Sequence, residues 1–275
     1  MRKLLPFGIT AALVAMLALG GAQAANAAVF CVTSPLDTSD VSTSDGECKD
    51  ALGLCTLRAA IEQNNASGGN TIKLYGGVYP LTSGKELKIT KDVTITAASV
   101  LEYLPFATWV TGCDATRVFN IACGAKVSIK GLTITNGYAK YGAGIFNSGD
   151  LTIEQSLICD NVATAGLFEY YNGAFSTDAF GGGGGIFNKC KLTVKWCDIQ
   201  NNEATVGAGG GIANFMESSL AISFSSICDN EAAYAGDGID NNGTMTIDVT
   251  TLFIHNGDDA NPLDDCEGSS CPTGT

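Results

Sequence analysis

The chain has 275 residues, with 28 acidic against 15 basic, 11 cysteines and a single histidine, His255, for a formal net charge of −13. That balance argues against nucleic acid or an anionic membrane surface as a partner, since both reward Lys and Arg. One histidine and no CxxC spacing argue against a metal cluster.

Residues 1–27 read as a Sec-type export signal: Arg2 and Lys3 are basic, Leu4 to Leu19 is apolar, and small-residue cleavage sites end at Ala24 or Ala27. No later apolar run approaches the roughly 20 residues a membrane helix needs. The mature chain is therefore expected to be extracellular or at the cell surface, without inserting into a membrane. Cleavage after Ala27 removes Arg2 and Lys3, leaving 13 basic against 28 acidic residues in 248, a charge of −15 that suits solubility outside the cell. All 11 cysteines follow residue 27, which fits an oxidising compartment, and the odd count leaves at least one unpaired.

Residues 28–70 form an N-terminal cap. An Asp/Ser/Thr-rich loop from Asp37 to Gly46 leads to Cys48, then to Cys55-Thr56-Leu57-Arg58-Ala59-Ala60-Ile61. Thr56 is placed to cap a short helix whose Leu57, Ala60 and Ile61 share one face. Here the sequence resembles the exported bacterial domains named for a Cys-Ser-Leu-Arg-Glu-Ala motif, the CSLREA domain, with Thr56 for the serine and Ala59 for the glutamate. Gly46-Glu47-Cys48, Thr116 to Phe119 and Gly131 to Gly137 also resemble that family. The resemblance implies an all-β, single-stranded right-handed parallel β-helix, a pectate-lyase-like solenoid behind an N-terminal cap, and brings no established chemistry.

Residues 71–257 lead to the same architecture through their repeats. The segments from Gly142, Gly183, Gly209 and Gly236 share one grammar, GGGI, then an asparagine, then an alternating strand. Runs starting at Ile72, Val93, Phe119, Ile145, Ile186, Ile212 and Ile239 are spaced by 21, 26, 26, 41, 26 and 27 residues. A second column starts at Val127, Leu151, Leu192, Leu220 and Met245; a third contains Ile134, Ile158, Ile199, Ile227 and Leu252. Three short strands per period predict a three-sided solenoid of about seven turns, roughly 34 Å long at the spacing of paired strands. Asn147, Asn188, Asn214 and Asn241 form one predicted amide ladder, and Asn161, Asn202 and Asn230 another. His255 reads as a degenerate ladder residue. Gly184-Gly185-Ile186 and the Ser225, Ile227, Asn230, Ala232 spacing also resemble polymorphic outer-membrane-protein repeats.

The 41-residue step carries a lateral loop, about Thr164 to Gly181, in which Phe168, Tyr170, Tyr171 and Phe175 form the candidate ligand site, for an extracellular glycan or a surface protein. The alternative is that these rings fold back on the solenoid wall, which avoids an unusually large exposed apolar patch. The smaller irregular stretch Ser99 to Gly112 contributes Tyr103, Phe106 and Trp109.

A polysaccharide-active enzyme, a pectate-lyase-like lyase or a glycoside hydrolase, is the alternative function. Its chemistry finds little support: there is no Gly-His-Gly element, Arg58 and Arg117 fall in structural motifs, and Asp160 and Asp229 are two turns apart, close to 10 Å, wider than paired glycosidase carboxylates. No catalytic residue is assigned. Calcium is the one cofactor considered, through Asp37, Asp40, Asp45 and Glu47 or the nonapeptide-like Gly236 to Asp240; the first matches no EF-hand and the second is not in tandem, so no metal site is assigned. The outward column Ser128, Thr152, Thr193, Ala221 and Thr246 raises ice binding, against which stands the charged column Lys130, Glu154, Lys195, Ser223 and Asp248.

Expected disulfides are local: Cys48 with Cys55 or Cys31, Cys113 with Cys123, Cys190 with Cys197, and Cys266 with Cys271. Cys159 with Cys228 and Cys123 with Cys190 are too far apart for bridging. Residues 258–275 form a Cys-containing tail with no sortase motif or anchor. The expected function is that of an exported, non-catalytic, adhesin-like protein that presents loops for surface recognition.

Overall fold

The fold is that of a computed structural model, which describes residues 27–98, 107–165, 170–171, 174–175, 182–257 and 265–268. It is mostly β, with four parallel sheets, one antiparallel strand pair and one helix among the described residues.

Short alternating runs become strands of two to five residues whose apolar members point one way. The largest sheet has eight parallel strands in chain order: Val29–Val32, Asn70–Leu74, Val93–Ala97, Lys126–Lys130, Asp150–Glu154, Lys191–Lys195, Ser219–Ser223 and Thr244–Ile247. One seven-stranded sheet runs from Gly77–Pro80 through Thr133–Thr135 and Leu157–Cys159 to Leu252–Ile254; the other runs from Leu87–Ile89 through Phe119–Ile121 and Ile145–Asn147 to Cys266–Gly268. A four-stranded sheet of two-residue strands, from Tyr138–Ala139 to Glu231–Ala232, lies between them in the chain. From Asn70–Leu74 onward the strands of the three large sheets follow one another in a recurring order, and each pairs with the strand its sheet received on the previous pass, or circuit.

Identical residue types therefore stack. Ile72, Ile95, Ile129 and Ile153 are in direct register, as are Ile134, Ile158, Ile199 and Ile227, and Ile145, Ile186, Ile212 and Ile239. All are fully buried. Each such isoleucine contributes about 1.5–3 kcal/mol of burial free energy.

The helix α1 (Leu57–Ser67) starts at Thr56, whose Oγ1 accepts from the Ala59 N–H at 3.0 Å and donates to Thr38 O at 2.6 Å. It is buried on more than one face. Arg58 donates to Asp37 at 2.6 Å and to the Lys85 and Glu86 carbonyls, and Asp37 also accepts from Ser83 N–H at 2.8 Å. These bonds clamp the helix between the Asp-rich loop and the first circuit. The strand Val29–Val32 on one side and Cys266–Gly268 on the other extend the parallel sheets beyond residues 71–257.

Three registers differ from the sequence-based expectation. Ile72–Leu74 and Val93–Ile95 belong to the Val127 column, and the Phe119 column begins instead at Leu87–Ile89. An apolar–polar–apolar triplet looks alike on every sheet, so alternation alone cannot assign it. In the last circuit Ile227 pairs with Phe253, and Leu252 is 56% exposed. The Asp248 to Thr251 turn carries one residue more than its counterparts and shifts everything after it. For the same reason Asn256, with His255 preceding it, occupies the ladder position.

Candidate functional site

The segment expected to form the lateral loop lies in the chain between strands Val162–Ala163 and Ile186–Asn188. Tyr170–Tyr171 pairs antiparallel with Ala174–Phe175, while Phe168 and the side chains of Tyr170, Tyr171 and Phe175 lie outside the described residues. Its base is tied on both sides: Thr164 N–H donates to Ala139 O at 2.9 Å, and Gly142 N–H donates to Gly182 O at 3.0 Å.

Beside that base runs an aromatic ladder. Phe146 and Phe187 are the middle residues of two strands in direct register, and their rings stack at 5.4 Å and 17°. Tyr141 and Phe215 flank Phe187 at 5.8 and 5.9 Å. The Arg117 guanidinium lies 5.0 Å from the Phe146 ring centre, and the Lys189 ammonium 5.3 Å from that of Phe215. Phe187 is only 1% exposed, so this ladder is packing with cations at both ends and offers no open ring face at its centre. Sequence reasoning did not single it out. The signal was present in Ile-Phe-Asn at residues 145–147 and 186–188, where an outward middle position holds phenylalanine twice.

Both arginines weighed for polysaccharide chemistry make structural contacts. Arg117 also donates to the Tyr141 and Gly142 carbonyls and pairs with Glu86, and Arg58 is held by the helix clamp. Asp160, Asn201, Asp229 and His255 form one exposed corner column with φ of 56°, 52°, 53° and 52°. Asn, Asp and His are the non-glycine residues that tolerate this left-handed conformation best, which accounts for their presence without a catalytic role. Among the described residues no cluster of three or more His, Cys, Asp or Glu could hold a metal ion. Asp37 is taken by Arg58. Asp40 accepts from Ser42 and Lys49 N–H, Asp45 accepts from Glu47 N–H, and Glu47 pairs with Lys49.

On the outer face of the eight-stranded sheet, Ser128, Thr152, Thr193, Ala221 and Thr246 are in register. Charged columns flank them, with Lys191 to Asp150 at 3.1 Å and Lys130 to Glu154 at 4.0 Å. A shallow depression of about 130 Å³ lies over Thr193 and Ala221. That is well below the roughly 300–1,000 Å³ of a small-molecule cleft.

Cys48 and Cys55 form a disulfide with Cα atoms 5.0 Å apart. The turn between them is organised by Asp50, which accepts from the Leu52 and Leu54 N–H groups and from Thr38 Oγ1. Cys266 is also disulfide-bonded, and Cys271 lies outside the described residues. The expected Cys113–Cys123 and Cys190–Cys197 bonds are not formed. Cys190 and Cys197 flank the extended strand Lys191–Lys195, which by itself spans roughly 13 Å at about 3.3 Å per residue, beyond the roughly 7 Å between bridgeable Cα atoms. Cys113 and Cys123 follow strands of two different sheets.

Burial pushes the Cys159 and Cys197 thiols up to about 12. At pH 8 this leaves roughly a thousandfold less thiolate than at an ordinary exposed cysteine. In native protein, iodoacetamide is expected to label the exposed Cys31, Cys113, Cys123 and Cys190 and to spare Cys159 and Cys197 until denaturant is added. Peptide mass spectrometry reads this directly, and early labelling of Cys197 would contradict its place in the core.

No family model matches the chain, and neither curated proteins nor solved structures give a significant match to it.

Proposed function

We propose that the chain is an exported, non-catalytic recognition protein of the CSLREA type, whose cyclic sheets wind as one right-handed parallel β-helix and whose lateral loop meets an extracellular glycan or surface protein. The strand order supports the winding, since each sheet gains one strand per circuit. The observation that carries the functional reading is the fate of the reactive side chains: Arg58 and Arg117 are consumed by structural bonds, and Asp160, Asp229 and His255 serve left-handed corners.

Deleting residues 166–180 is expected to remove binding on a glycan or host-surface array while leaving the thermal transition nearly intact, because the circuit closes through bonds at Ala139 and Gly142 outside the deletion. Loss of folding on deletion would mean that the loop serves packing. In parallel, the wild-type protein is incubated with a panel of acidic polysaccharides with and without calcium. Robust cleavage abolished by a single Lys or Asp substitution would replace this reading with a polysaccharide-active enzyme.

A further inference from the structure

A second corner of the circuit, between the eight-stranded sheet and the sheet that contains Leu157–Cys159, also requires left-handed backbone. Its column is Gly131, Gln155, Trp196 and Phe224, with φ of 74°, 48°, 51° and 51°. The Gln155 and Trp196 N–H groups donate to the carbonyls of Lys195 and Ser223 in the following circuit, which fixes the column's register. Glycine is the unstrained choice at such a position, and bulky aromatic residues are the least suited to it. The corner of Asn136, Asp160, Asn201, Asp229 and His255 follows the steric rule, as does the left-handed glycine column Gly142, Gly183, Gly209 and Gly236.

Trp196 and Phe224 nevertheless occupy successive circuits, their rings stacked at 5.5 Å and 17°, and each is 52% exposed. Ring stacking alone does not require this placement. Phe146 and Phe187 achieve the same geometry on ordinary strand positions, and there the pair is largely covered. The strained corner adds exposure, and strain of this kind concentrates at functional positions. The next circuit continues the ridge: Phe224 N–H donates to Asp248 Oδ1 and Thr250 Oγ1, and Val249 between them is fully exposed.

We propose that the Trp196–Phe224 ridge is a carbohydrate-contact site for a neutral glycan. This deepens the recognition reading above and rests on it for the class of ligand. Three circuits span roughly 10 Å along the corner, about the length of two sugar residues. The ridge is one residue wide, far short of the roughly 800 Å² per partner of a stable protein interface. The ring faces turned away from the Trp196–Phe224 stack suit the C–H groups of pyranoses, and Gln155, exposed one circuit before Trp196 in the same column, is a donor and acceptor for hydroxyls. The chain's net charge of −13 disfavours an acidic polymer.

The test is calorimetric titration of the full chain with cello-, manno-, xylo-, laminari- and chito-hexaose, with hexagalacturonate as the acidic control. The comparison variant is Trp196→Gln/Phe224→Gln, since Gln155 already occupies the same backbone conformation. Trp196→Gly/Phe224→Gly serves as a second variant and relieves the strain. At least one neutral hexasaccharide is expected to bind the wild type, with affinity about tenfold or more weaker in both variants and thermal midpoints unchanged or raised. No binding of any neutral hexasaccharide, equal binding by the variants, or preference for hexagalacturonate overturns the proposal. If the loop deletion abolishes array binding while both ridge variants bind as wild type, the ridge fails and the recognition reading stands. Shortening of the bound oligosaccharide sinks the non-catalytic reading, and the same variant comparison still decides the ridge.

Discussion

Replacing Asn202 by aspartate is expected to destabilise the fold by about 4 kcal/mol at neutral pH. The Asn202 side chain is 1% exposed, and every one of its polar sites is used. Its Oδ1 accepts from the Asn161 N–H at 3.2 Å and from Asn161 Nδ2 at 2.9 Å, while its Nδ2 donates to Ile158 O, Gln200 O and Asn230 Oδ1 at 2.9–3.0 Å. Aspartate keeps the acceptor and loses all three donations, leaving a buried carboxylate oxygen among three acceptor oxygens. Burial raises the pKa of such a carboxyl, so its stability contribution is present when it is protonated and lost as pH rises. The variant should therefore recover part of its stability on acidification. Urea unfolding followed by circular dichroism at neutral and acid pH measures both effects. A loss under 1 kcal/mol would show that the ladder is incidental to stability.

The ladder also shows what the sequence made legible. Asn147, Asn188, Asn214 and Asn241 are linked by successive 2.7 Å amide–amide hydrogen bonds, and Asn161, Asn202, Asn230 and Asn256 by hydrogen bonds of 2.9–3.0 Å. Seven of these eight asparagines stand out in the repeats because a stacked position must hold the same donor–acceptor pair in every circuit. The one-residue insertion at Asp248 to Thr251 puts Asn256 and Phe253 where the repeat spacing predicts His255 and Leu252. Period counting detects a repeat, but a single inserted residue changes which side chain faces inward.

The candidate site was less legible, for a physical reason. Core and ladder positions are repeated constraints, whereas a surface feature occurs once and has no period to reveal it. Trp196 and Phe224 continue the column in which Gln155 and Gly131 sit one and two circuits before Trp196, and nothing in their local sequence announces a left-handed backbone. The cysteine pairs failed similarly. Cys190 and Cys197 are close in sequence, but one is exposed at a strand's start and the other is buried beyond its end, its Sγ 3.6 Å from Ile153 O.

Gly185→Ala should cost about 3 kcal/mol, although this glycine needs no left-handed φ. A Cβ here would lie 2.6 Å from Gly211 O and 3.1 Å from the Asn202 amide carbon. Gly211 O accepts the Ile186 N–H at 2.9 Å, so the methyl group strikes a rung-to-rung hydrogen bond and the ladder together. A Cβ at Gly144, Gly211 or Gly238 would likewise lie 2.5–2.6 Å from the next circuit's carbonyl oxygen and 3.0–3.2 Å from a ladder asparagine. Glycine and asparagine columns are thus one device: the missing side chain is what lets the amide approach and the circuits close to strand spacing. Gly76→Ala is the matched control, because its Cβ would meet only ordinary contacts of 3.6 and 3.9 Å at Ala107. If the two variants melt together, the glycine run serves the unfolded chain's freedom; if only Gly185→Ala melts early, it serves the packing of one circuit on the next.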